Sequence, residues 1–143
     1  MSDFIKENNY LDHAATTYVR PEVLEKMLPF FSEKFGNPSS LYDIAQESKN
    51  AIEEARETSA TILGCHPSEI YFTSGGSESN NMAIKGIFSN NTDFNVISSL
   101  IEHHAVIHPI EQLSNIGVAT SFVEVDQLGL IKLDNFKKTI NKS

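Results

Sequence analysis

The chain has 143 residues, 40% of them hydrophobic and 21% charged, which is one domain's worth of ordinary globular composition. Aspartate and glutamate total 19 against 11 lysines and arginines, and the resulting net charge of −8 disfavours non-specific binding to nucleic acid or an anionic membrane. One cysteine, Cys65, excludes an intrachain disulfide framework and a cysteine zinc cluster, while the lack of a basic-then-apolar leader or a bilayer-length apolar run points to a cytoplasmic protein.

Tyr10-Leu11-Asp12 reads as a short extended segment and His13 to Thr17 as a small, polar loop. Pro21 suits a first helical turn, so a helix is predicted from there, with Val23, Met27, Leu28, Phe30 and Phe31 as its apolar side and Glu22 paired with Lys26. Pro29 should interrupt it. Gly36-Asn37-Pro38-Ser39-Ser40 is turn chemistry, and Ser39 or Ser40 can cap the next helix. That helix is predicted over 41–63, from the helical recurrence of Leu41, Ile44, Ala45, Ser48, Ile52, Ala55, Ser59 and Ile62, and Gly64 ends it.

Three strand-then-helix units follow. Strands are predicted at 70–73, 95–99 and 120–125, with helices from the Ser74-Gly75-Gly76-Ser77 turn to about Phe88, over roughly 105–113, and after the Asp126 to Gly129 turn with Leu133, Phe136 and Ile140 inward. Alternating strands and helices predict an α/β fold with a mainly parallel sheet and flanking helices. Three parallel strands are few for such a domain, so the expectation is a truncated larger domain over 1–143, with no second complete domain.

The most informative stretch is Phe72-Thr-Ser-Gly-Gly-Ser-Glu-Ser-Asn-Asn81. A helix N-terminus carries unpaired N–H groups and partial positive charge, glycine lets an oxyanion approach the backbone, and serine hydroxyls add donors. The combination suits a phosphate. The same residues are also plain turn and cap chemistry, and the string is neither a Walker motif nor Gly-x-Gly-x-x-Gly.

Six collinear segments spread over the chain resemble cysteine desulfurases, fold-type I pyridoxal phosphate (PLP) enzymes of the class V aminotransferase group. They are Tyr10-Leu-Asp-His-Ala-Ala-Thr-Thr17, Phe35-Gly-Asn-Pro-Ser-Ser40, Tyr71-Phe-Thr-Ser-Gly-Gly-Ser-Glu-Ser-Asn-Asn81, Ala83-Ile-Lys-Gly86, Ile101-Glu-His-His-Ala-Val106 and Val125-Asp-Gln-Leu-Gly129. The resemblance implies the N-terminal part of a PLP-dependent transferase large domain. It implies an enzyme that converts L-cysteine to L-alanine and passes the sulfur to an enzyme cysteine, for iron–sulfur cluster or thio-cofactor assembly. It further implies a homodimer, and a scaffold or sulfur-acceptor protein as partner.

Residue by residue, the resemblance assigns Gly76 and Ser77 to the PLP phosphate and His103 to the face of the pyridine ring, where it would assist proton transfers. It places Ala14 to Thr17 and Asn37 to Ser39 near the substrate or the dimer interface. Lys85 matches a family lysine that does not bind PLP. The Schiff-base lysine, the acid under the ring nitrogen, the sulfur-accepting cysteine and the substrate-carboxylate arginine lie, in the family, on segments that match nothing in residues 1–143. The expectation is that these residues alone do not turn over. His13 and Ser77 stand where asparagine and threonine are also common, and Ser77 keeps the hydroxyl.

Other readings remain open beside this one. Another class V enzyme, such as a selenocysteine lyase, a kynureninase-like hydrolase or an aminotransferase, would share much of the pattern. A non-catalytic interaction or remnant protein, or a phosphate- or nucleotide-binding α/β domain, would use the same turn without aldehyde chemistry. His104 and His108 are four apart on a predicted helix, yet lack the Glu of His-Glu-x-x-His and any nearby cysteine, so no metal site is assigned. Cys65 reads as an ordinary small residue.

Overall fold

A computed structural model describes residues 9–87 and 95–140. The chain divides into two compact units, Met1–Tyr71 and Phe72–Ser143.

The first unit is helical. Helix α1 (Pro21–Met27) opens on proline and gives way at Leu28 to a single turn, α2 (Pro29–Ser32), so Pro29 interrupts the helix as its missing N–H and ring demand. Glu22 meets Arg20 Nε at 3.4 Å rather than forming the expected pair with Lys26. Val23, Met27, Leu28, Phe30 and Phe31, the expected apolar side, are all exposed. The long helix α3 (Asp43–Leu63) is present. It starts after Tyr42, which provides no side-chain cap, so neither Ser39 nor Ser40 caps it. Those serines close an Asx turn instead: Ser39 N–H donates to Asn37 Oδ1 and Ser40 N–H to the Asn37 carbonyl, both at 3.0 Å.

Gly36 lies against the start of α3 so closely that a Cβ there would stand 2.2 Å from the Ile44 carbonyl oxygen. The Ser48 hydroxyl donates to the Lys34 carbonyl at 3.1 Å, which ties the chain before that turn to the helix. Of the predicted stripe on α3, Ala45 and Ser48 are buried, and Ala60 joins them, whereas Leu41 and Ile62 are exposed. Gly64 ends the helix in the left-handed region (φ 71°), where glycine has no Cβ penalty, and the Cys65 N–H returns to the Ala60 carbonyl.

No strand forms at 70–73. Ile70 to Thr73 are irregular, and Tyr71 and Phe72 are exposed. An apolar extended segment becomes a strand only when a neighbour accepts its ladder of hydrogen bonds. Among the described residues the only ladder is between the other two predicted strands.

The second unit is α/β. Helix α4 (Gly76–Gly86) is followed by β1 (Asn95–Ser99), helix α5 (His104–Asn115), β2 (Ala119–Val123) and helix α6 (Leu133–Ile140). β1 and β2 pair in parallel, from Asn95 opposite Ala119 to Ser99 opposite Val123, with α5 as the crossover. The core is Ile110 and Leu113 of α5 with Val118, Val123 and Ser99. Pro109 sits inside α5 and is buried; the helix continues past it. β2 ends two residues earlier than predicted. Val125 instead makes an antiparallel bridge with Ile131 across a turn in which Asp126 Oδ1 accepts from the Leu128 and Leu130 N–H groups at 2.8 and 2.9 Å. The predicted end of α4 at Phe88 lies outside the described residues. Among the described residues no helix is long and apolar enough to cross a membrane.

Candidate functional site

The residues assigned to phosphate and ring contact, Gly76, Ser77 and His103, all fall in the second unit, each at the start of a helix. Gly76 and Ser77 are the first two residues of α4 and are exposed. The residue before them, Gly75, has no side chain to cap the helix, so the first N–H groups of α4 receive no capping bond from it. The Ser77 carbonyl accepts from Asn81 Nδ2 at 2.8 Å, while no hydrogen bond engages its hydroxyl among the described residues. Nothing lies within 4 Å of where a Cβ would stand on Gly75 or Gly76. Free donors, a helix dipole and open space form a donor set that fits a phosphate dianion.

The turn that presents these donors is held by its neighbours. Glu78 Oε2 accepts from both the Ser74 N–H and the Ser74 hydroxyl, each at 2.6 Å. The Thr73 hydroxyl lies 2.6 Å from the Ser79 hydroxyl and 3.2 Å from the Gly75 carbonyl, which also accepts from the Ser79 N–H at 3.1 Å. The Ser74 hydroxyl, and then its N–H, hold the Glu78 carboxyl below its ordinary range. Sequence reasoning missed Glu78; the signal was a serine four residues ahead of a glutamate across a glycine pair.

His103 is the N-cap of α5. Its Nδ1 accepts from the Ala105 N–H at 3.0 Å, so the neutral ring carries its proton on Nε2. This cap is unusual, because serine, threonine, aspartate and asparagine dominate N-caps, and it too was missed. The loop into it is anchored at the end of β1: Leu100 N–H donates to the Val123 carbonyl at 3.2 Å, and the buried Ser99 hydroxyl meets Glu102 Oε1 at 3.2 Å. The exposed His103 ring stands edge-on to His104 (centroids 6.3 Å), which stacks on His108 at 5.1 Å. No group of three or more His, Cys, Asp or Glu side chains is placed to hold a metal ion among the described residues.

Lys85 sits in the last turn of α4 and donates to Gln112 Oε1 of α5. The helix has 11 residues, so Lys85 lies roughly 14 Å along the axis from Gly76. Cys65 is half-buried behind α3 in the first unit. Ala14 to Thr17 and Asn37 to Ser39 also belong to that unit. The former begins inside a turn closed by the Ala15 N–H on the Asp12 carbonyl at 3.1 Å, to which the Tyr10 hydroxyl also donates at 2.6 Å.

Residues 9–143 match the family described as aminotransferase class-V. The chain belongs to that family. It is 49% identical over 140 residues to a cysteine desulfurase IscS of Dictyoglomus turgidum, covering 96% of this chain and 36% of that protein. It is 49% identical over 133 residues to a cysteine desulfurase IscS of Methanosarcina thermophila, covering 92% of this chain and 33% of the relative. The chain therefore spans about a third of the length of the curated relatives it matches. Among solved structures, a NifS-like protein superposes with a TM-score of 0.82 at 39% identity, over 90% of this chain and 36% of that one. A structure described as SspA in complex with cysteine gives 0.75 at 44% identity, over 79% of this chain and 33% of that one. The expected family and the expected α/β architecture both hold.

Proposed function

We propose that the second unit supplies the phosphate anchor and one ring-facing group of a PLP site in a cysteine desulfurase. The observation that carries this reading is the start of α4, with the free Ser77 hydroxyl and open space over Gly75 and Gly76. The N–H groups of Gly76 and Ser77 and the Ser77 hydroxyl would hold the phosphate, and the helix dipole would favour its charge. His103 would present its imidazole to the ring; with Nδ1 committed to the helix, only Nε2 is available to hold or pass a proton. PLP, when bound, supplies an electron sink for bonds broken next to the substrate α-carbon.

The substrate proposed is L-cysteine, with L-alanine as product and the sulfur passed to a cysteine. The IscS relatives and the cysteine-bound SspA neighbour support this choice over the other class V reactions. A homodimer that feeds an iron–sulfur scaffold or another acceptor in the cytoplasm completes the proposal, on the strength of the IscS relatives. Lys85, at the far end of α4 from Ser77, is not the lysine that would link to PLP. The polypeptide of residues 1–143 alone is expected to bind PLP reversibly without turnover.

The test is a visible absorption titration of that polypeptide with PLP, followed by borohydride reduction and intact mass. Reversible binding that weakens in Ser77→Ala, with no adduct at one specific lysine, supports the proposal. Undiminished binding in Ser77→Ala, or alanine released from cysteine by these residues alone, refutes it.

A further inference from the structure

We propose that Glu78 is a positioning residue that shapes the anion cradle at the start of α4 by holding Ser74 out of it. The inference rests on the phosphate-anchor reading above and assigns a role within that site. Glu78 is the third residue of α4. A glutamate at this position commonly reaches back to the N–H of the N-cap residue. The chain contains that ordinary form at His66, whose N–H donates to Glu69 Oε2 at 2.7 Å. At α4 the carboxylate passes over Gly75 and takes Ser74 instead, one residue further out, through both N–H and hydroxyl.

Two consequences follow from the geometry. First, both Ser74 donors are occupied, so an anion is met by the N–H groups that follow, those of Gly76 and Ser77 among them, and by the Ser77 hydroxyl. Gly75 runs extended (φ 164°, ψ 179°), and the bonds from Ser74 to Glu78 fix the chain on its outer side. The Thr73–Ser79 hydroxyl contact across the same turn makes a second tie. Second, a carboxylate beside the cradle opposes a bound anion by charge. Reach and charge therefore act in opposite directions, and substitutions separate them. Glu78→Gln keeps the length and an acceptor oxygen but removes the charge. Glu78→Asp keeps the charge but is one methylene too short. Glu78→Ala loses both.

The experiment measures binding of PLP, inorganic phosphate and phosphate-free pyridoxal to the 143-residue chain and to these variants, together with hydrogen exchange of the Ser74 amide. Glu78→Ala and Glu78→Asp are expected to bind PLP and phosphate roughly five- to tenfold more weakly, the scale of one or two lost positioning hydrogen bonds. Glu78→Gln should bind as tightly as the unsubstituted chain or more tightly. Pyridoxal binding should not change in any of them, a pattern that general loss of structure would not produce. Ser74 should exchange slowly in the unsubstituted chain and in Glu78→Gln, and fast in the other two.

Unchanged phosphate affinity in Glu78→Ala, beside a clear loss in Ser77→Ala, overturns the positioning role alone. Parallel losses for PLP and pyridoxal reduce Glu78 to a structural residue and also overturn it. Absence of PLP binding in the unsubstituted chain, with Ser74 still protected, overturns the cofactor reading and the positioning role with it.

Discussion

Gly36 offers a sharp test of the close approach between the 36–40 turn and α3. In Gly36→Ala the added methyl would stand 2.2 Å from the Ile44 carbonyl oxygen, 2.5 Å from its carbon and 2.8 Å from the Ala45 nitrogen. All three are backbone atoms in the first turn of a 21-residue helix, so no side-chain rotation relieves the overlap. Either the turn or the helix start must move, and overpacking of this kind costs about 1–3 kcal/mol, with backbone displacement toward the upper end. For a chain of this size each kcal/mol shifts Tm by roughly 3–6 °C, so a fall on the order of 6–15 °C is expected. Gly86→Ala is the control. Nothing lies within 4 Å of its Cβ position, and it ends a helix, so the same methyl should be neutral or stabilising by up to about 1 kcal/mol. Differential scanning calorimetry of the two variants measures both signs. If Gly36→Ala melted within a degree of the unsubstituted chain, the packing of the turn on α3 would be refuted.

Three further outcomes follow from the second unit. Glu78 titrates below its ordinary value because it accepts two bonds from Ser74, so its contribution to stability is complete above pH 4.5 and is lost as pH falls through the lowered folded value. An NMR titration of its carboxyl should find that shift, and Ser74→Ala should bring the value back toward the ordinary one. His103→Ala removes the N-cap of α5 and should cost about 1 kcal/mol, whereas His103→Asn keeps a cap and should cost little, by thermal melting. In the same ring, nitrogen-15 shifts should show the proton on Nε2. Ile110→Ala, at a side chain with 2% of its surface exposed, should destabilise by about 2–5 kcal/mol in urea unfolding.

What could be read from the sequence was what local chemistry decides. Pro21 and Pro29 set the ends of short helices through their own rings, and Gly64 ended α3 through its freedom to take a positive φ. The strands at 95–99 and near 120 were legible because each lies one crossover helix from the other and the two can pair. The segment at 70–73 is at least as apolar, but a strand is a property of two segments, and composition reports on only one. The start of α3 was misplaced for a related reason. Ser39 and Ser40 are good caps by residue type, but they close the Asn37 turn ahead of Tyr42, which takes the N-cap position, and the helix begins at Asp43.

The site divides along the same line. The glycine pair and serines of 74–77 suggested a helix start with free donors, but it was the family resemblance that singled out Gly76 and Ser77 for a phosphate. What disciplines those donors is relational: Glu78 matters through Ser74, and His103 through Ala105. Both ties spend a side chain on a backbone N–H at a helix start, and both leave the group beside them available. Among the described residues, the group left without a hydrogen bond at α4 is the Ser77 hydroxyl; at α5 it is His103 Nε2. Preorganisation of this kind is worth most where charge must be held in one place, because a donor already aimed needs no reordering when the ligand arrives. In the proposed cradle this is the physical reason for a carboxylate beside the anion: it would oppose the anion by its charge and offset that opposition by fixing the turn.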